Sequence, residues 1–423
     1  MLRFAPSPTG DLHIGDLRVA LFNYIVSKQR NEDLIVRIED TEKRENIEGK
    51  DDEILGLLPL FGIEHTQTIY QSENVRYHAA MALQLIHEKK AFSCFCSPDW
   101  IGKKQKEAKE NKKAYSYDDA CRNLPHELVI DNMNPFVIRL NRPDEAIVIK
   151  DAIQGEVSFE PDAVDSFMIM KQDKTPMPNF ASAVDDMLSD ISLVIRSQKH
   201  LSNTPRQDYV RASLGYDKKI EYAHLPIIEE DDSLSVKGLL EEGFLPDAIS
   251  NYLISIGNTT PKEIFSTKDA IEWFSLENLS KSPAHFSIDR LKEINKEHLK
   301  DMDATELSRY VGFADANIGE LAKVYLEEAS TTKELKAKIE PIFASKEIPG
   351  HLTEAAKIMT ETIKGAPYFE EYDDFKNYIM KESGLNDENF LNALRLLLTN
   401  ASNGPDIALI YKYLKNYIGE IIK

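Results

Sequence analysis

His13 stands two residues before Gly15, where a run broken by Pro6, Pro8 and Gly10 gives way to an apolar stripe at Leu17, Ala20, Leu21 and Tyr24. Proline removes a backbone donor and fixes φ, glycine permits close approach, and the stripe has helical spacing. A strand, a tight loop and a helix N-terminus therefore meet around His13. Backbone N–H groups at a helix start attract anions, and an imidazole beside them can touch a phosphoryl oxygen. This is nucleotide-binding chemistry without the lysine of a Walker loop. Taken alone, a His-x-Gly is equally a surface histidine in an ordinary strand-to-helix turn.

Charged groups at a second strand end extend the pattern. Residues 33–41 read as a buried strand closing on Arg37, Glu39 and Asp40, and in parallel α/β sheets ligands gather beyond the carboxyl ends of strands. A strand end simply passing into solvent reads the same way. Arg196 follows a further apolar run; a guanidinium offers a rigid fork for a carboxylate, or can pair with the Asp185-Asp186 couple nearby. All three cysteines, Cys94, Cys96 and Cys121, fall in one short excursion with Tyr117 between them. The same thiols read as small buried hydrophobes or as metal ligands.

The elements that must hold these groups are legible in outline. A helix is expected over 17–30, others over 49–60 and 74–90, then a lysine-rich polar segment over 102–113. Short β-like runs follow at 135–140, 146–149, 156–159 and 165–170; a helix over 181–189, a strand over 192–195 and an apolar helix over 247–257 come next. From about 303 onward the periodicity is almost wholly helical. The length of 423 residues suits about three domains. No apolar run nears the ~20 residues that span a bilayer and no signal-peptide pattern opens the chain, so a cytoplasmic protein is expected. Acidic residues outnumber basic ones 71 to 51, a formal charge of −20 that argues against indiscriminate nucleic-acid binding. Three cysteines are too few for a disulfide framework.

The string Arg3-Phe4-Ala5-Pro6-Ser7-Pro8-Thr9-Gly10, leading into His13-Ile14-Gly15, resembles the first signature of the bacterial-type glutamyl-tRNA synthetases of class I. Arg37-Ile38-Glu39-Asp40-Thr41, Val184-Asp185-Asp186, Leu201-Ser202-Asn203-Thr204-Pro205-Arg206 and Leu394 to Pro405 resemble the same family in the same order. The resemblance implies an α/β fold: a class I Rossmann-like catalytic domain, an α+β acceptor-binding insertion and an all-α C-terminal anticodon-binding domain. The segments it implies are 1–90 and 173–215 for the two catalytic halves, 91–172 for the insertion, 216–302 for a stem-contact region and 303–423 for the anticodon-binding domain. It implies ATP-dependent ligation of L-glutamate to tRNA through glutamyl-adenylate. His13 and Gly15 would be catalytic and hold ATP together with Lys199 and His200; Arg3, Ala5, Ser7, Glu39, Ser182 and Arg196 would surround glutamate. Mg2+ would accompany ATP, and Cys94, Cys96, Tyr117 and Cys121 resemble a structural Zn2+ knuckle. The partners implied are tRNA-Glu or also tRNA-Gln, for a monomeric enzyme away from membranes.

Four features depart from the family. Asp16 puts a negative charge beside the nucleotide loop, Pro178 stands where a tyrosine is usual, and Lys199 reverses the sign of an acidic position. The second class I signature, a Lys-x-Ser-Lys-Arg loop, is expected between Ile228 and Ser235, where the chain has Glu229-Glu230-Asp231-Asp232. The alternative these departures raise is an impaired or repurposed synthetase paralogue that binds tRNA without efficient ATP chemistry.

Overall fold

Around the first motif, the computed structural model has a seven-stranded sheet whose parallel strands run in the order of a doubly wound fold. It describes residues 1–112, 115–229, 235–385 and 388–422. The strands are Leu2–Phe4 (β1), Leu34–Ile38 (β2), Gln67–Tyr70 (β3), Ala91–Cys94 (β4), Val137–Leu140 (β5), Ile147–Asp151 (β6), Gly155–Phe159 (β7), Met168–Met170 (β8), Leu193–Ser197 (β9), Glu221–Leu225 (β10), Ile228–Glu229 (β11) and Ala284–His285 (β12). The large sheet has the order β3-β2-β1-β9-β10-β6-β7. All its pairings are parallel except the β6–β7 hairpin. The order reverses direction between β1 and β9, which opens a crevice beyond the carboxyl ends of both strands.

Local sequence explains these elements. Every residue of β2 is buried, as expected for a parallel strand covered on both faces. The helix Ile14–Arg30 starts three residues before the expected 17, because His13 takes the N-cap position in an extended conformation; Asn31 ends the helix in a left-handed one. Pro178 opens the helix Pro178–Leu188 three residues before the expected 181, in the first turn where its missing N–H costs nothing. The lysine-rich segment is itself helical, Pro98–Glu110, started by the Ser97 hydroxyl accepting from Trp100 N at 3.2 Å. Not all of 91–172 stands apart: β4, β5 and β8 form a small antiparallel sheet, but the β6–β7 hairpin joins the large sheet beside β10.

The chain divides into two compact units. One comprises 1–236 and 253–286 and contains both sheets just described; the other comprises 237–252 and 287–423. The division at Ser287 falls inside the 216–302 segment. Among the described residues from 303 onward there is no strand. Some helices there begin at side-chain caps: Asp303 accepts from Glu306 N, and Thr331 and Glu334 close a reciprocal capping box. The helices Ala304–Tyr310 and Ala316–Val324 approach at Gly319, where an added Cβ would lie 1.7 Å from the carbonyl oxygen of Ala304. Only glycine permits that approach. Gly319→Ala is therefore expected to destabilise the helical unit by about 1–3 kcal/mol, read as a lower denaturant midpoint at unchanged slope; an unchanged midpoint would contradict this packing.

Candidate active site at the sheet switch point

Two adjoining cavities open where β1 and β9 part. The smaller, about 290 Å³, is lined by Arg3, Ala5, Ser7, Glu39, Ser182 and Arg196 among others, so all six residues expected around an amino acid are brought together. The larger, about 520 Å³, is lined by His13, Gly15, Lys199 and His200, the four expected around a nucleotide. Asp16, Val19, Ser197 and His200 border both cavities. Pro178 lines the smaller one. A ligand in either would therefore touch the other's neighbours.

A buried ion network fixes the floor of the smaller cavity. Arg37 on β2 is fully buried and does not pass into solvent; its Nη1 donates to Asp186 Oδ1 at 2.6 Å and its Nη2 to Glu39 Oε1 at 3.2 Å. Arg3 on β1 donates through Nε to the same Asp186 oxygen at 3.2 Å. Burial alone would raise the Asp186 carboxyl, but the two guanidinium groups hold it well below the usual carboxylate range. Ser182 Oγ donates to Glu39 Oε1 at 2.8 Å, so Glu39 is held by a hydroxyl and a guanidinium at the cavity wall. Asp185 turns the other way, accepting from Gln71, Asn74 and His78, each at 2.9 Å.

Arg196, at the carboxyl end of β9, does not join the Asp185-Asp186 couple. Its donors meet only neutral acceptors: His224 Nε2 at 3.1 Å, Gln207 Oε1 at 2.8 Å and Thr204 Oγ1 at 2.7 Å. Among the described residues no carboxylate lies within ion-pair distance of it. Burial pulls its pKa down to about 10, with nearby Arg3 adding to the effect. An uncompensated cation of this kind favours an anion in the cavity it lines.

The larger cavity is built on the start of the helix Ile14–Arg30. Gly15 N donates to His13 Nδ1 at 3.3 Å. An imidazole accepting at Nδ1 carries its proton on Nε2. Leu12 O accepts from Val236 N at 2.9 Å, which ties Val236 to this loop. Arg18 ties the cavity wall together by donating to the carbonyl oxygens of Leu253, Pro226 and Ile256 at 3.2, 3.4 and 2.7 Å. Asp16 is crowded enough for its carboxyl to sit above the ordinary value, although His13, His200 and Lys199 pull it back. The expected lysine loop would involve residues 230–234, which lie outside the described residues.

Sequence reasoning named Arg37 and Asp186 but did not pair them, and it overlooked Gln207, Thr204, His224 and Asp151 as parts of this site. Arg37 and Asp186 sit inside quoted motifs, and their signal was charge within otherwise apolar runs. Asp151 carried no local signal, since only the addition of the β6–β7 hairpin to the sheet brings it to His224.

In the excursion, the thiols of Cys94, Cys96 and Cys121 all lie within 4.8 Å of one another. Tyr117 OH is 3.3 Å from Cys94 Sγ and 3.4 Å from Cys96 Sγ, and Cys96 and Cys121 Sγ are 3.6 Å apart. Three thiols and a phenol converging on one point match the donor set of a tetrahedral thiophilic cation.

The family described as "tRNA synthetases class I (E and Q), catalytic domain" matches residues 1–293. The chain is 66% identical to glutamate–tRNA ligase 2 of Sulfurimonas denitrificans and 49% identical to glutamate–tRNA ligase 1 of Nitratiruptor sp., each over the whole of both chains. Both alignments run over 432 positions, nine more than the 423 residues here. A solved glutamate tRNA ligase from Elizabethkingia meningosepticum, in complex with its amino acid, superposes with a TM-score of 0.81 at 25% identity, covering 100% of this chain and 99% of that one. Fold, site and similarity agree, and the chain belongs to the class I tRNA synthetases of the glutamate and glutamine group.

Proposed function

We propose that the chain is a glutamate–tRNA ligase. The carrying observation is Arg196, a cation with no carboxylate partner among the described residues, lining a 290 Å³ cavity that opens onto a helix N-terminus. L-Glutamate brings two carboxylates and one ammonium. Arg196 receives a carboxylate, while Glu39, held by Ser182, offers an acceptor to the ammonium. ATP takes the larger cavity with Mg2+ as its counter-ion; His13, fixed by the Gly15 N–H, meets a phosphate oxygen through Nε2–H, and Lys199 and His200 add donors from the lining.

A glutamate α-carboxylate oxygen attacks the α-phosphorus in line, forming the C(=O)O–P bond as pyrophosphate leaves. A terminal ribose hydroxyl of tRNA then attacks the adenylate carbonyl, the hydroxyl proton is lost, and AMP departs. Positioning and preorganised donors supply this catalysis, since no protein nucleophile is required. The tRNA is tRNA-Glu, with tRNA-Gln as a second acceptor to be tried, and the enzyme acts as a monomer in the cytoplasm. No helix among the described residues is long and apolar enough to cross a membrane.

Pyrophosphate exchange dependent on glutamate and tRNA tests this reading. Arg196→Gln is expected to raise the KM for glutamate on the order of 100-fold while leaving the KM for ATP nearly unchanged. Absence of exchange at high enzyme concentration would sink the proposal in favour of a tRNA-binding paralogue. Asp16→Asn removes a negative charge beside the phosphates, so the KM for ATP should fall roughly threefold at low salt and less at high salt; a rise would mean that Asp16 instead serves the nucleotide.

We further propose that Cys94, Cys96, Cys121 and Tyr117 hold one structural zinc ion, which ties β4 to the loop carrying Cys121. The convergence of three thiols and a buried phenol supports this. Metal analysis of the purified chain should give about one zinc per molecule, and Cys121→Ser should lose it and lower the melting temperature; a metal-free protein with the same melting point would remove the proposal.

A further inference from the structure

Arg196 is itself held from behind. His224 Nε2 receives its Nε–H at 3.1 Å, and Thr204 Oγ1 lies 3.0 Å from the same ring nitrogen. On the far side of the ring, Nδ1 lies 2.5 Å from Asp151 Oδ2. Asp151 is pinned in turn by the N–H groups of Ile153 and Gln154, at 2.9 and 2.8 Å, and of His224, at 3.1 Å. An imidazole nitrogen accepts from a guanidinium only when it bears no proton, so the ring proton sits on Nδ1, facing Asp151. The three side chains come from three neighbouring strands: β6 meets β10 at Asp151 and Tyr222, and β10 meets β9 at His224 and Arg196. The side chains of His224 and Asp151 have no solvent exposure.

We propose that His224 and Asp151 are positioning residues for glutamate: Asp151 fixes the tautomer of His224, and the unprotonated Nε2 aims the Arg196 guanidinium into the amino-acid cavity. This rests on Arg196 being the carboxylate receptor. A plain core histidine needs no particular tautomer, whereas this one must stay neutral. Protonation would replace an acceptor with a like charge at 3.1 Å from Arg196 Nε. Burial first, and Arg196 next to it, lower the His224 pKa below its ordinary value, while Asp151 opposes them. The groups facing the ring are Asp151 from β6, Arg196 from β9, Arg3 from β1, Thr204 from the helix Thr204–Ser213 and Tyr222 on its own strand, its ring 6.1 Å away. Of these, only His224 changes charge between about pH 5 and 8. Glutamate affinity is therefore level at neutral pH and lost as pH falls through the lowered His224 value.

Calorimetric titration of the intact chain with L-glutamate from about pH 5 to 8 tests this without depending on turnover. The wild type should hold a constant Kd near neutrality and weaken about tenfold toward the acid end. His224→Gln keeps an acceptor that does not titrate, and should lose the acid-side weakening of the wild type, since His200 and Asp16, which also line the cavity, are unchanged in it. His224→Phe should weaken glutamate binding about 10- to 100-fold at every pH while the Kd for ATP stays put. Asp151→Asn removes the carboxylate that sustains ring protonation, so its midpoint should move to lower pH; it carries the test if the Phe variant melts early. Wild-type Kd and pH profile in both His224→Gln and Asp151→Asn overturn the proposal. If Arg196→Gln binds glutamate normally, the receptor assignment and this proposal fail together; if only the Arg196 variant loses glutamate, the receptor stands and the relay does not.

Discussion

The site depends on one buried carboxylate shared by two guanidinium groups. Asp186 Oδ1 accepts from Arg37 at 2.6 Å and from Arg3 at 3.2 Å, and the side chain of Asp186 has no exposure at all. Removing one partner of such a pair leaves an uncompensated charge in a dry interior, typically at a cost of about 3–5 kcal/mol. The interaction joins β1, β2 and the helix Pro178–Leu188 at a single atom. Both guanidinium groups meet Oδ1, Oδ2 makes no hydrogen bond, and the donors of Arg196 go instead to Thr204, Gln207 and His224. The third arginine is left to neutral acceptors, and its charge is available to whatever enters the cavity.

The sheet explains why this happens at one edge. Parallel strands point their carboxyl ends the same way, and the reversal of order between β1 and β9 parts the flanking connections there. The helix Ile14–Arg30 begins at that opening, so the positive end of its dipole lies beside the space near the carboxyl end of β9, where Arg196 stands. Anion-binding backbone and anion-binding side chain are neighbours because of topology. The walls shared by the two cavities, Asp16, Val19, Ser197 and His200, follow from the same junction.

Much of this was legible in the chain because it was written in local pattern. Proline and glycine marked the first loop, apolar runs marked β1, β2 and β9, and helical periodicity marked the region after residue 303. Interactions between elements distant in sequence were not. Arg37 reads as a strand passing into solvent until Asp186, 149 residues away, is seen to pair with it. Asp151 lies within a stretch that suggested a separate insertion, and only the parallel pairing of β6 with β10 brings it to His224. Helix starts were misread by three residues at both 14 and 178, since a cap is a side-chain geometry rather than a periodicity. Asp16, Pro178 and Lys199 were legible as departures, and all three line the two cavities.

Charge balance gives the amino-acid cavity its selectivity under the proposed reaction. Arg3 and Arg196 line the 290 Å³ space together with Glu39 and Asp16, and Arg37 pairs with Asp186 beside it. Asp16 belongs to the shared wall, where His13, His200 and Lys199 act on it from the nucleotide side. Glutamate has a second, side-chain carboxylate for Arg196 to receive; glutamine has an amide there and returns only one more neutral acceptor. The difference is felt in a space where water competes poorly, so a whole charge discriminates more strongly than a hydrogen bond alone. Discrimination of this kind needs no steric gate. It needs Arg196 to be held by neutral acceptors, and Thr204, Gln207 and His224 are what hold it so.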